Sequence, residues 1–192
     1  MKKYSILIVA ILFYASSVIA QNSAVESTQF QTKAEAFINE CLYFKTDTYL
    51  KMWHGDLNVY AEVVTDIKTG KKIGYLRFET ETNATPGSVR SLGYLDLDEI
   101  SDFLKALNGV VETQKEKKSA QTFSIQYITH GGIDFCFSSG NQEIYFSKEW
   151  NFINRFGTPV SCRVFNEGMP VKELTKLIST IEKGRTIVEQ NL

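Results

Sequence analysis

The chain has 192 residues, of which 43% are hydrophobic and thirteen are Phe, enough apolar material for a packed core. Its 21 Lys and Arg against 22 Asp and Glu give a net charge of −1, without the positive excess that a non-specific nucleic-acid binder uses to displace counterions. Three cysteines, Cys41, Cys136 and Cys162, are too few for a disulfide scaffold, and the lack of a C-x-x-C excludes a zinc ribbon or a thioredoxin-like motif.

Residues 1–20 read as a secretory signal peptide. Lys2 and Lys3 form a basic start, Ile6 to Ala15 an apolar run, and Val18 and Ala20 stand at −3 and −1 of a cleavage site before Gln21. The expectation is export to the periplasm or the cell exterior. The +1 position is Gln, not Cys, which argues against a lipid anchor. Losing Lys2 and Lys3 leaves 19 basic against 22 acidic residues in a mature single domain, 21–192. No later apolar stretch approaches the length of a membrane span.

A short helix is expected next, with Ala34, Phe37, Ile38, Cys41 and Leu42 on its buried face. Tyr49, Lys51 and Trp53, and then Val59, Ala61 and Val63, alternate with polar residues as half-buried strands do, with Lys51 as the exception on the apolar side. Further strands are expected near Lys72–Thr80 and Ser88–Tyr94. A helix follows, opened by Asp96 and Glu99 as a capping box, with the stripe Leu97, Ile100, Phe103, Leu104 and Leu107 and a stop at Gly109. Glu112 to Ser119, charged and polar, reads as a solvated linker.

The same order then recurs. Each member of the stripe has a counterpart 74 positions on, in Val171, Leu174, Leu177, Ile178 and Ile181, after Pro170 at a helix start and before a stop at Gly184. Val59, Ala61 and Val63 fall on Ile133, Phe135 and Phe137; Tyr49, Lys51 and Trp53 fall on Phe123, Ile125 and Tyr127. Strands near Glu143–Lys148 and Pro159–Phe165 complete the set. The expected fold is α+β: antiparallel sheet from two ββββα repeats, about 47–110 and 121–184, whose units cover each other or build one continuous sheet. Over 47–184 this order of elements resembles the tandem ββββα architecture of PUR-type and Whirly-type nucleic-acid-binding proteins. The resemblance implies that fold and, as one alternative, nucleic-acid binding, although no motif for it stands in this chain and those families act inside cells.

Several residues invite chemistry. Cys136 and His130 could form a nucleophile and its base, and so a secreted hydrolase. No elbow motif or third orienting group accompanies them, so no catalytic residue is assigned. Cys162 alternates with Val160 and Val164 and should face the core; Cys41–Cys162 is the better pair if a disulfide exists. Asp96, Asp98, Glu99 and Asp102 lack EF-hand spacing and fit a helix start. His54 fits a turn, and two His in all cannot make a His-rich metal site, so neither cofactor nor metal is expected. Asn83-Ala84-Thr85 matches a glycosylation sequon. The open sheet face is the remaining candidate. Tyr60, Glu62, Tyr75, Arg77 and Arg90 should stand there in one repeat, and Gln126, Asp134, Tyr145 and Arg163 in the other. The favoured function is a non-enzymatic binding module for a protein or small ligand, with Tyr60, Tyr75, Arg77, Arg90, Tyr145 and Arg163 as its surface.

Overall fold

The computed structural model describes residues 31–54, 57–82, 88–115, 122–153, 159–165 and 168–192. Residues 1–20, the sequon at Asn83 and the second half of the expected linker lie outside this set, as do the side chains of Arg90, Cys162 and Arg163.

The first repeat forms an antiparallel meander, sheet A: β1 (Phe44–His54), β2 (Leu57–Asp66), β3 (Lys72–Thr82) and β4 (Ser88–Asp96), paired in that order. The second forms sheet B: β5 (Ser124–Ile128), β6 (Ile133–Ser138), β7 (Glu143–Ile153) and β8 (Pro159–Phe165). A two-residue strand β9 (Met169–Pro170) continues along β7, its register moved on by one residue from that of β8. Among the described residues three α-helices accompany the sheets: α1 (Lys33–Glu40), α2 (Ile100–Lys115) and α3 (Leu174–Asn191). The fold is therefore α+β with two antiparallel sheets, and the sheets cover each other rather than merge.

The inner faces meet in one core. Val59, Ala61 and Val63 of β2 and Ile133, Phe135 and Phe137 of β6 are all buried in it, as the 74-residue offset requires. So are Ile100, Phe103 and Leu107 with Leu174, Leu177 and Ile181. The pair Leu104 and Ile178 is less equal: Ile178 is buried, Leu104 only partly.

The helices are exchanged between the repeats. Helix α2 follows sheet A in the chain yet packs on β5 of sheet B. Its partner α3 follows sheet B and packs on β1, β2 and β3. Gly184 makes this approach close. A Cβ there would stand 2.9 Å from Leu76 Cδ2 and 3.5 Å from Ala61 Cβ. Gly184 is thus a packing position within α3, not its stop. Likewise α2 continues through Gly109, because Val110 extends the buried stripe. This carries the helix to Lys115 and into the segment expected to be linker.

The capping box forms in α1 instead of α2. Glu35 N–H donates to Thr32 Oγ1 and Thr32 N–H to Glu35 Oε2, both at 3.0 Å. Asp96 turns away from its own helix and accepts from Lys33 N–H (2.7 Å) and Ala34 N–H (3.2 Å), so it caps α1 across 63 residues of sequence. The first helix ends at Glu40, which leaves Cys41 outside it and Leu42 exposed, contrary to the expected stripe. Lys148, buried on the inner face of β7, reaches Glu35 Oε1 at 3.3 Å and ties sheet B to α1.

Candidate binding face and buried acid

The outer face of sheet A is built by alternation. β2 presents Asn58, Tyr60, Glu62 and Val64 outward, opposite Glu79, Arg77, Tyr75 and Ile73 of β3. On β1 a bulge at Tyr49 shifts the register between Thr48 and Leu50. Past it, Leu50 and Met52 stand opposite Ala61 and Val59 on the core side, while Lys51 and Trp53 stand opposite Tyr60 and Asn58 on the outer side. The expected inward set of Tyr49, Lys51 and Trp53 is thereby corrected. Lys51 is no exception to the alternation, because one extra residue reverses the face of all that follow.

One end of this face is closed. Helix α1 lays Ala34, Phe37 and Ile38 over Val64, Tyr75 and Tyr94. Tyr75 is therefore buried, and its phenol is pushed up, first by burial and then by Glu62 nearby. The other end holds an ordered stack. The Arg77 guanidinium lies 4.1 Å from the Tyr60 ring centre. Its Nε and Nη2 donate to Glu62 Oε2 (2.9 Å) and Oε1 (2.8 Å), and Nη1 pairs with Glu79. Thr48 Oγ1 donates to Glu62 Oε1 at 3.0 Å. Burial works to raise the Glu62 carboxyl, but the hydrogen bonds and charge of Arg77 outweigh it and hold the group below its ordinary range. The Lys51 ammonium sits 4.7 Å from the Trp53 ring centre and 5.3 Å from that of Tyr60, and Trp53 remains 58% exposed.

The candidates of the second repeat lie on another surface. Tyr145 donates to Glu143, and Gln126 Nε2 to Asp134 Oδ1 at 2.9 Å, on the outer face of sheet B. Arg163 and Arg90 have backbone places in β8 and β4. The six surface residues thus do not converge on one site. Tyr60 and Arg77 touch, Tyr75 is covered, and Tyr145 belongs to the other sheet.

A second cluster was concealed by the capping-box reading. Glu99 begins the turn into α2, accepting Phe103 N–H at its carbonyl, but its side chain is buried toward the β5–β6 hairpin. Glu99 Oε1 accepts from His130 N–H (2.7 Å) and from Tyr127 Oη (3.3 Å). Glu99 Oε2 has no hydrogen-bond partner among the described residues and lies 3.7 Å from Nδ1 of the exposed His130 ring. The hairpin is held there by close backbone packing: a Cβ on Gly131 would meet Thr32 Cγ2 at 2.6 Å and the Tyr94 carbonyl at 2.8 Å. Burial raises the Glu99 carboxyl, more than the His130 N–H lowers it. Tyr127 is pushed up to about 12, by burial and then by Glu99.

The sign of that shift gives a test. A carboxyl raised in the folded state favours folding when protonated, so its contribution falls as pH rises from the unfolded value through the folded one. Glu99→Gln keeps an oxygen for His130 N–H and removes the charge. Its melting temperature relative to the parent chain should rise between acid and neutral pH. A difference that stays flat, or falls, across that range would show that Glu99 is not a buried acid.

His130 stands in the hairpin turn, whereas Cys136 lies farther along β6 on the outer face, opposite Gln126 and Tyr145. Neither Cys41 nor Cys136 takes part in a disulfide. Among the described residues no group of three His, Cys, Asp or Glu converges, and no helix is long and apolar enough to cross a membrane. An open cleft of about 480 Å³ lies between the end of α2 (Val111, Gln114), the turn residue Gln142 and Pro170–Thr175. Comparison with protein-family models, with curated proteins and with solved structures finds no match to this chain.

Proposed function

We propose that this protein is an exported, non-enzymatic binding module that takes a protein or small ligand on the uncovered end of the outer face of sheet A. The observation that carries the reading is the stack of Lys51, Trp53, Tyr60 and Arg77. Its cationic groups are held over aromatic rings at 4.1–5.3 Å, and Trp53 is more than half exposed beside them. An exposed aromatic flanked by preordered cations loses little side-chain freedom on binding, and Trp and Arg are the residues that anchor interfaces. Export is supported by the order of basic, apolar and small residues over 1–20.

Photo-crosslinking in the exporting cell separates this from a plain solvated face. A photoreactive residue at position 53 should give one discrete adduct, and the same residue at Gln126 of sheet B should not. Adducts of equal yield from both positions, or from neither, would overturn the assignment.

A further inference from the structure

Sheet A ends on β1, which pairs with β2 on one side and, among the described residues, with no strand on the other. A long unpaired edge displays its free N–H and C=O groups as a template for another strand. Exposed apolar residues gather at the beginning of β1: Leu42 is 79% exposed, Tyr43 71% and Phe44 45%. Lys45, exposed, and Asp47, partly exposed, stand among them as an ion pair of 2.8 Å.

We infer that β1 pairs antiparallel with β1 of a second copy of this chain, about a two-fold axis through Thr46. Such an axis, perpendicular to the sheet, keeps each face on its own side, so residues set opposite each other must share a face. Within the regular stretch Phe44–Thr48 the axis must therefore pass through a residue, not between two. Centred on Lys45 or on Asp47, the pairing sets that charge against its own copy. Centred on Thr48, it draws the bulge at Tyr49 into the ladder, and on Phe44 it leaves both charges without a counterpart. Centred on Thr46, it sets Lys45 opposite the second copy's Asp47 twice, and Phe44 opposite Thr48. Opposite charges across an antiparallel pair stabilise it, and like charges directly opposite destabilise it. Only this register satisfies the pleat and the charges together. Tyr43 then meets Tyr49, where the bulge ends the pairing.

Charge reversal tests both the edge and the register. The purified chain should sediment as a dimer whose dissociation constant rises with salt. Lys45→Asp alone, or Asp47→Lys alone, sets like charges opposite each other twice and should weaken the dimer at least about tenfold. The double reversal, Lys45→Asp with Asp47→Lys, restores opposite charges and should restore the dimer. Lys45 is exposed and Asp47 partly so, and circular dichroism should show all three variants folded. A parent chain that is monomeric, a dimer indifferent to either single reversal, or a double reversal that stays monomeric would each overturn the inference.

Discussion

Replacing Phe103 with Ala should cost about 3–5 kcal/mol, the range for emptying a packed aromatic site. Phe103 is 1% exposed and its ring is the junction of the core. It lies 6.1 Å from Phe78 of sheet A, 5.7 Å from Tyr127, 5.9 Å from Phe135 and 6.4 Å from Phe146 of sheet B, centre to centre. No small rearrangement of one sheet refills a gap lined by both. Urea unfolding should show one transition moved to lower denaturant with an unchanged slope. A split into two transitions would mean that the sheets unfold independently. A loss below about 1 kcal/mol would mean that the cavity collapses freely.

Arg77→Met should be the next most damaging change, at about 3 kcal/mol near neutral pH. That is the low end for breaking a buried ion pair, because Arg77 keeps one fifth of its side chain in water. Glu62 is 3% exposed, and without the guanidinium it is left with the neutral hydroxyls of Thr48 and Tyr75. The pH profile identifies the cause. A carboxylate held below its ordinary range contributes stability that is present above the unfolded pKa and lost as pH falls through the folded one. The gap between parent and variant should therefore be widest at neutral pH and close below the ordinary carboxylate range. Adding Glu62→Gln to Arg77→Met should recover part of the loss, since the uncompensated charge goes with it. A pH-independent gap, or no recovery in the double variant, would show that Arg77 acts only through packing on Tyr60.

What could be read before the fold was known follows from the reach of each signal. The stripes at Ile100–Leu107 and Leu174–Ile181 and the alternation at Val59–Val63 and Ile133–Phe137 are local patterns. They place residues on faces correctly because periods of 3.6 and 2 need no tertiary information. The bulge at Tyr49 is a single inserted residue, and the pattern Leu50, Lys51, Met52, Trp53 was its one trace. Asp96 and Glu99 have the spacing of a capping box, but spacing does not say which backbone a carboxylate meets. Asp96 found α1 and Glu99 found the β5–β6 hairpin, both distant in sequence. Nor does an amphipathic stripe name the sheet it will cover, so the exchange of α2 and α3 left no mark in either helix. The covering of Tyr75 by α1 was hidden for the same reason.

That exchange couples folding to synthesis. Sheet A is complete by Asp96, yet the helix that seals its inner face begins at Leu174 and runs almost to the last residue. A chain emerging from the N-terminus first therefore carries the inward residues of β2 and β3 without this helix until Leu174 and the residues after it are made. The core closes only once α3 has been made. A polypeptide built this way stays loose for as long as α3 is still to be made.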